Sequence, residues 1–482
     1  MSTVGTNLPS VLPRTFKYFF NRARSGSNCP ETVENVQGWV KSVRLMKNMA
    51  FVDLQDGTTP HALKLVVRRA GIDSGEVEEH LQKLKTGQSV LVNSAMWMPT
   101  PTRQQPFELQ AAADAVKVVG DVPATFPLQK KSHSLSFLRT QPTLKHRSNY
   151  LGALLRFRSF VELSFSQFFE LYDCTKVAPP VLTSGDCEGA GELFRVEARA
   201  RYGQGSKYFG RETYLTVSTQ LHLEVLAAAL SRCWTLSPCF RAEESDTNRH
   251  LAEFWMLETE LSFVDNVHDL TVFAETMFKY VVQRCIDRQE DLLPAMVPSG
   301  SSSEDAKSVV QRWEALMARG SWPRVAYSEA ITLLQNQHAS QNFSFEPVWG
   351  QDLQTEHEKW LAAHFDSPVF ITDYPRSCKA FYMKQNTDGR TVACFDLIVP
   401  QMGELIGGSV REDNYETLLQ EMSRRNMNHE DLSWYTELRK NGSVPHGGFG
   451  LGLERFVAWL FGVHNIRDAI PFSRSAGGSI EL

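Results

Sequence analysis

The stretch Pro238-Cys239-Phe240-Arg241-Ala242-Glu243, followed by a polar run to Arg249 and then His250-Leu251-Ala252-Glu253-Phe254-Trp255-Met256-Leu257-Glu258-Thr259-Glu260-Leu261, decides how the chain is read. Two extended segments around a polar loop predict an antiparallel hairpin. Side chains alternate between the faces of a strand, so Arg241 and Glu243 share one face, and Phe254, Glu258 and Glu260 share a face of the returning strand. Trp255, Leu257 and Leu261 fill the opposite parity, as a core face requires. Where the two polar faces coincide, the surface gathers an arginine, an aromatic ring and the carboxylates of Glu243, Glu258 and Glu260. A solvated sheet face carries alternating charge as well. The chemistry therefore has to be argued from what lies further along the chain.

Two later stretches supply it. Phe395-Asp396-Leu397-Ile398-Val399-Pro400 precedes Gly403-Glu404-Leu405-Ile406-Gly407-Gly408-Ser409-Val410-Arg411. A carboxylate at each end of a strand-turn unit suits a hard divalent cation, and paired glycines admit a ligand to the backbone. Then His446-Gly447-Gly448-Phe449-Gly450-Leu451-Gly452-Leu453-Glu454-Arg455 runs into Phe456-Val457-Ala458-Trp459-Leu460. This predicts a glycine-rich strand feeding an amphipathic helix, with Arg455 in its first turn, in reach of a phosphate. The glycine spacing matches neither the P-loop nor the dinucleotide fingerprint.

Upstream, short runs rich in valine and aromatics (Val36–Val40, Met49–Leu54, Leu63–Val67, Ser89–Asn93 and Phe107–Leu109) alternate with turn signals such as Asp56-Gly57 and Thr86-Gly87. Five short strands in so brief a span predict a small barrel over residues 31–122. A Pro-, Lys- and Ser-rich linker follows over 123–147, and a large mixed unit over 148–482. That unit opens on a helix with Leu154, Phe157, Val161, Phe165 and Phe168 at helical spacing. Core packing explains such a stripe, and a dimer seam is the sharper alternative. Residues from Asn266 to about Phe345 read as a helical, polar insertion with an exposed loop at Pro298–Ser303.

Residues 1–30 lack any acidic side chain but carry Arg14, Lys17, Arg22 and Arg24 among Phe16, Tyr18, Phe19 and Phe20. That composition predicts an organelle-targeting presequence, against the alternative of a frayed basic tail. Elsewhere composition mainly excludes. The 482 residues, 42% hydrophobic and 22% charged, rule out a disordered or fibrous chain. A net charge of -5 means that any nucleic-acid footprint is local. The eight cysteines form no C-x-x-C pair and read as reduced, mostly buried thiols. No run is long and apolar enough for a membrane span.

The order of a long helix ending in Pro179-Pro180-Val181-Leu182-Thr183, then Phe240-Arg241-Ala242-Glu243, then Gly450-Leu451-Gly452-Leu453-Glu454-Arg455, resembles motifs 1, 2 and 3 of the class II aminoacyl-tRNA synthetases. With the preceding barrel, the resemblance is to the aspartyl, asparaginyl and lysyl subgroup, and it spans roughly Glu34 to Phe472. It implies an α+β chain: an N-terminal OB-fold that binds the anticodon, and a class II catalytic domain of antiparallel sheet flanked by helices. Asp186–Phe194, Ser218-Thr219-Gln220-Leu221-His222-Leu223-Glu224 and Gly407–Arg411 look asparaginyl.

The resemblance implies roles for residues. Arg241 and Arg455 are the catalytic pair, Arg241 on the ATP α-phosphate and Arg455 on the γ-phosphate. Glu243 meets the adenine amino group, Phe254 stacks on its ring, and His250 faces the phosphates. Asp396 and Glu404 match the Mg²⁺ ligands, with one extra residue between them; Glu404 also belongs to the ATP site. Glu188, Gln220 and Glu258 match positions that grip the substrate ammonium, while Arg411 and His446 face its side chain. Phe51 stacks an anticodon base, with Lys41, Arg44 and Lys47 on phosphates. The implied partners are L-asparagine, ATP, tRNA(Asn) and a second copy of the chain, without a membrane. The implied location is the mitochondrial matrix, with the cytoplasm as alternative.

Aspartyl enzymes carry a lysine three residues after the glutamine that matches Gln220, where this chain has Leu223, which favours a neutral substrate. An aspartyl enzyme of relaxed specificity, a lysyl enzyme, and an RNA-binding paralogue without catalysis are the rivals.

Overall fold

Alternating valines and aromatics in the first 120 residues build strands with one buried face, and the computed structural model of the chain places them in a closed ring. Residues 12–25, 31–47, 49–68, 82–100, 105–184, 192–197, 207–244, 247–294, 296–340, 342–430, 432–478 and 480 are described. The chain divides into two compact units, 1–156 with 290–301, and 157–289 with 302–482.

In the first unit the strands are β1 (Thr32–Leu45), β2 (Met49–Gln55), β3 (Leu63–Arg68), β4 (Ser89–Pro99), β5 (Phe107–Ala112) and β6 (Val116–Gly120). Their order β1-β2-β3-β5-β4 closes because β1 also pairs with β4, and β6 extends β4. The β3–β5 pairing is parallel and the others antiparallel. The inward parity, Val36, Val40, Val52, Leu54, Leu65, Val67, Val90, Val92 and Leu109, fills the barrel. The five predicted strands are all present, β6 is an addition, and β1 and β4 run several residues longer than their apolar runs.

Part of the predicted presequence is a helix with a buried face. Helix α1 (Phe16–Arg24) buries Phe16, Phe19 and Phe20 in the same core as the barrel valines. A leader removed at residue 30 would take three core rings with it.

The second unit opens with α2 (Asn149–Leu171), which begins in the first unit and continues into the second. Leu154, Phe157, Val161, Phe165 and Phe168 are fully buried along it, so the helical stripe is core. Leu163 lies exposed on the opposite side, and Leu171 is exposed at the last residue of the helix. There follow β7 (Thr175–Lys176), β8 (Leu182–Thr183), β9 (Tyr214–Leu215), α3 (Gln220–Leu230), β10 (Arg232–Phe240), β11 (Glu253–Ser262) and α4 (Val267–Ile286). Next come α5 (Ala306–Ala318), β12 (Arg324–Ala326), α6 (Tyr327–His338), α7 (Thr355–His364), β13 (Val369–Thr372), β14 (Cys394–Val399) and β15 (Gly403–Val410). The unit ends with α8 (Tyr415–Arg424), β16 (His446–Gly452) and α9 (Leu453–Phe461).

Eight strands form one sheet in the order β12-β13-β14-β15-β16-β11-β10-β7, mainly antiparallel. Hairpin β10–β11 is the one expected, with Phe240 opposite Glu253 at its loop end. The segment 266–345 corrects the reading of a polar insertion. Leu270, Ala274, Met277, Phe278, Val281 and Val282 bury one face of α4, and β12 is an edge strand of the main sheet. Apolar residues three and four apart on α4 carried that signal among its charged neighbours. The six described cysteines are free thiols, five of them buried. No helix among the described residues is long and apolar enough to cross a membrane.

Candidate active site

The sheet strands β11, β14, β15 and β16 and the segment just after β10 converge on a cavity of about 630 Å³ in the second unit. Arg241, Glu243, His250, Phe254, Gln220, Glu258, Asp396, Glu404, Arg411 and Arg455 all line it. Residues more than 200 apart in sequence thus meet at one place, as the reading of separate motifs required.

At one end, the strand β10 stops at Phe240 and the chain continues as Arg241–Glu243, anchored by Arg241 N–H donating to Ala252 O at 3.0 Å. The Arg241 guanidinium lies 5.6 Å from the centre of the Phe254 ring and 3.9 Å from Glu243. His250 Nε2 is 3.9 Å from the other Glu243 oxygen. Burial and the nearby Arg455 charge lower the His250 pKa. The site therefore offers a flat ring, an acceptor and several cations side by side, which suits a nucleotide with its phosphates.

Helix α9 brings in Arg455 from its first turn, where Nη1 donates to Glu404 O at 3.3 Å. The neighbouring Glu454 turns inward, accepting from Arg158 Nη1 at 2.7 Å and from the backbone of Trp255 at 2.9 Å. It pins the helix to the sheet and leaves Arg455 to face the cavity.

Asp396 and Glu404 approach each other across the β14–β15 hairpin. A Cβ on Gly407 would stand 3.1 Å from Glu404 Oε1 and 3.5 Å from Asp396 Oδ1, so the two carboxylates converge on one glycine. The strand register shifts between Leu397 and Ile398, in the stretch that separates the two carboxylates. Convergent hard oxygens in a half-closed cleft fit a divalent cation. Lys379, missed in the sequence, donates to Asp396 Oδ2 at 2.6 Å and holds that charge. Glu358 was missed too. Its Oε2 accepts from Glu404 N–H at 3.3 Å, and burial, with Glu404 and Asp396 adding repulsion, pushes its carboxyl up to about 7. No motif marked either residue; both come from segments outside the three motifs.

At the opposite end Glu258 accepts from Ser218 Oγ, from Thr219 Oγ1 and from Thr219 N–H. Gln220 follows as the first residue of α3, with its Nε2 3.1 Å from Glu224 Oε1 one turn later. Glu188 lies outside the described residues.

Below lies a buried ion network. Arg411 donates from Nε and Nη2 to the two oxygens of Glu260 at 3.1 and 2.9 Å, and from Nη1 to Ser409 at 2.7 Å. Glu224 accepts from Arg439 at 2.6 Å, from Tyr435 Oη at 2.8 Å, and pairs with His446 Nε2 at 3.0 Å. Burial alone would raise the Glu224 carboxyl, but Arg439, His446 and Arg411 hold it well below the carboxylate range. Burial raises Glu260, with the adjacent Arg411 opposing. His446 thus sits behind the cavity wall, on Glu224, and does not line it. Glu224, Glu260 and His446 hold ligand atoms within 4.8 Å of one another, as a metal site would. Arg411 and Arg439 already occupy those carboxylates, so an ion pair network is the better description.

Burial pulls the His446 pKa down, but its hydrogen bond to Glu224 and that group's charge win, leaving it above 6.5. Stability from this pair is therefore complete below about pH 6.5 and is lost as pH rises through the higher folded-state value. His446→Gln is expected to remove that pH dependence from the difference between wild-type and variant melting curves, taken from about pH 6 to 9. Parallel curves would show that His446 does not titrate against Glu224.

In the first unit, Phe51 is 36% exposed, and Arg44, its cross-strand partner, lies 5.3 Å over its ring. Lys47 is exposed, whereas Lys41 is half-buried and its pKa is lowered by that burial. A ring with a cation over one face on an open strand pair is a surface on which a base can stack.

The cavity combines an aromatic ring beside several cations, a pair of convergent carboxylates, and Glu258 held by hydroxyl and backbone donors. A family profile described as tRNA synthetases class II (D, K and N) matches residues 135–476, and one described as OB-fold nucleic acid binding domain matches 35–119. The chain belongs to the class II tRNA synthetases of the D, K and N group. Among curated relatives, a mitochondrial asparagine–tRNA ligase of Saccharomyces cerevisiae is 52% identical, covering 97% of this chain and 96% of its own. An asparaginyl-tRNA synthetase of Mus musculus is 42% identical over 91% of this chain and 89% of its own. The solved asparaginyl-tRNA synthetase of Pyrococcus horikoshii, complexed with asparaginyl-adenylate, superposes with a TM-score of 0.79 at 31% identity, covering 92% of this chain and 95% of that one. The described architecture is an OB-fold barrel and a mainly antiparallel catalytic sheet.

Proposed function

We infer that the chain is an asparagine–tRNA ligase, which activates L-asparagine with ATP and transfers it to the 3′ end of tRNA(Asn). The observation that carries the substrate is the Arg411–Glu260 pair. The guanidinium at the floor of the amino-acid end is already bound by both oxygens of a buried carboxylate, with Glu224 4.0 Å away. A substrate carboxylate placed there meets two buried anions and no surplus cation, whereas a neutral amide can use the remaining donors. Leu223, fully buried on the wall, adds no charge. The similarity to asparaginyl enzymes supports the same choice.

In the reaction the asparagine α-carboxylate attacks the α-phosphorus in line and pyrophosphate leaves; no protein nucleophile is required. Arg241 bridges the attacking carboxylate and the α-phosphate, while Phe254 and Glu243 hold the adenine. Arg455 and His250 take the outer phosphates, and Glu258 with Gln220, joined by Glu188, hold the ammonium. Bound between Asp396 and Glu404, Mg²⁺ would neutralise phosphate charge. Catalysis is then positioning with charge stabilisation. The terminal ribose hydroxyl of the tRNA next attacks the adenylate carbonyl and releases AMP. Phe51, Arg44, Lys47 and Lys41 hold the anticodon loop.

The exposed Leu163 and Leu171 on α2 support a homodimer seam. The basic, acid-free N-terminus and the mitochondrial relative support action in the mitochondrial matrix. Pyrophosphate exchange measured separately with asparagine, aspartate and lysine tests the central reading. Exchange with asparagine alone is expected. Strong exchange with aspartate or lysine overturns the substrate, and none with any amino acid leaves an RNA-binding module.

A further inference from the structure

Helix α1 has two incompatible surroundings available to it. Its apolar residues Phe16, Phe19, Phe20 and Ala23 recur at helical spacing, and Lys17, Asn21 and Arg24 lie exposed on the other side. In the folded unit the apolar face is fully engaged. Phe19 meets Trp97 edge-on at 6.3 Å, and Phe20 meets Phe107 at 5.3 Å, itself stacked on Trp97. Phe16 lies over β1 so closely that a Cβ on Gly38 would come within 2.8 Å of its ring. Gly38 is thus a glycine because α1 is there.

The barrel also caps the helix. Asp56 Oδ2 accepts from Phe16 N–H at 2.7 Å and Thr58 Oγ1 from Lys17 N–H at 3.2 Å, two donors that a helix start leaves without intrahelical partners. Thr15 Oγ1 takes a third, from Tyr18 N–H. Arg24, in the last turn, pairs with Asp291 at 2.7 Å. An element capped, buried and ion-paired in this way belongs to the working protein.

Resting on the mitochondrial reading above, we propose that α1 is both the address and a permanent part of the anticodon unit. Before folding, its apolar face, flanked by basic residues, fits a helix-binding groove on an import receptor. After import the same face closes the barrel, and any maturation cut falls before Thr15. Reading and folding compete for the same three phenylalanines, so a chain that folds early loses its address.

Three measurements on the full chain test this. First, mass spectrometry of the protein recovered from the organelle should find an N-terminus at or before Thr15; a start beyond Arg24 overturns the proposal. Second, removal of residues 1–30 should lower the melting temperature by about 10 °C or prevent folding, while removal of 1–11 leaves it unchanged. Equal melting of the two shortened chains overturns the structural half. Third, Arg14→Glu with Lys17→Glu, both exposed, should leave melting unchanged yet cut the organelle-associated fraction at least about fivefold, the polar face of such a signal being required to be basic. Normal delivery of that variant overturns the address. Wild-type protein found only outside the organelle overturns the mitochondrial reading itself, and the address with it, before any variant is made.

Discussion

Arg241→Ala is expected to lower asparagine-dependent pyrophosphate exchange by about 10² or more, the scale for removing one donor aimed at developing charge. The position isolates chemistry from folding. Arg241 follows the last residue of β10, its backbone bond to Ala252 does not depend on the side chain, and the side chain is 32% exposed. Melting should therefore change little while exchange collapses. Arg241→Lys keeps a cation but not the planar fork that spans two oxygens, so it should recover only a small part of the loss. Wild-type exchange in the alanine variant would remove Arg241 from the reaction. An unchanged KM for asparagine with reduced kcat would place the lost interaction in the transition state alone.

Much of this site was legible because chemistry and local structure shared one period. In the hairpin, alternation put Phe254 and Glu258 on the cavity face and Leu257 and Leu261 on the core face. Asp396, Glu404 and Arg455 were legible because glycines at fixed offsets marked where a ligand needs the backbone. The same reasoning failed wherever partners are distant in sequence. Lys379 reaches Asp396 from a loop with no motif, and Glu358 reaches Glu404 from a helix 46 residues away. Tyr435 and Arg439 converge on Glu224 from more than 200 residues off. No period in one segment reports a charge supplied by another. His446 shows the converse: its motif was recognised, but the register of β16 beside β11 sets it opposite Ser262, where Glu224 takes its ring nitrogen.

The fold was misjudged where composition and packing disagree. The segment 266–345 reads as polar, yet α4 buries nine residues along one face. The N-terminal segment resembled a leader by charge, and the same amphipathic pattern that suits a receptor suits a barrel. Hydrophobic spacing reports that a face will be buried, without naming its partner. In both places the missing information was which surface the face would meet.

The second large effect concerns the floor of the amino-acid end, where charge and geometry can be separated by a pair of variants. Arg411→Lys keeps a cation beside Glu260, so the buried carboxylates stay balanced and folding should survive. The ammonium cannot bond both Glu260 oxygens and Ser409 while also meeting the substrate amide, so asparagine kcat/KM should fall by about 10². Aspartate should remain a poor substrate, because no positive charge has been added. Glu260→Gln does the opposite. The amide fills the same volume and accepts one guanidinium bond, but Arg411 is no longer neutralised by its bidentate partner. The floor then carries a surplus cation, and the ratio of kcat/KM for aspartate to that for asparagine should rise about tenfold or more. Loss of one partner of a buried ion pair also destabilises, by about 3–5 kcal/mol where nothing replaces the charge. Glutamine moderates this, and a melting curve on each variant separates instability from altered preference. If Glu260→Gln leaves the aspartate-to-asparagine ratio where it was, neutralisation of Arg411 is not what selects the amide.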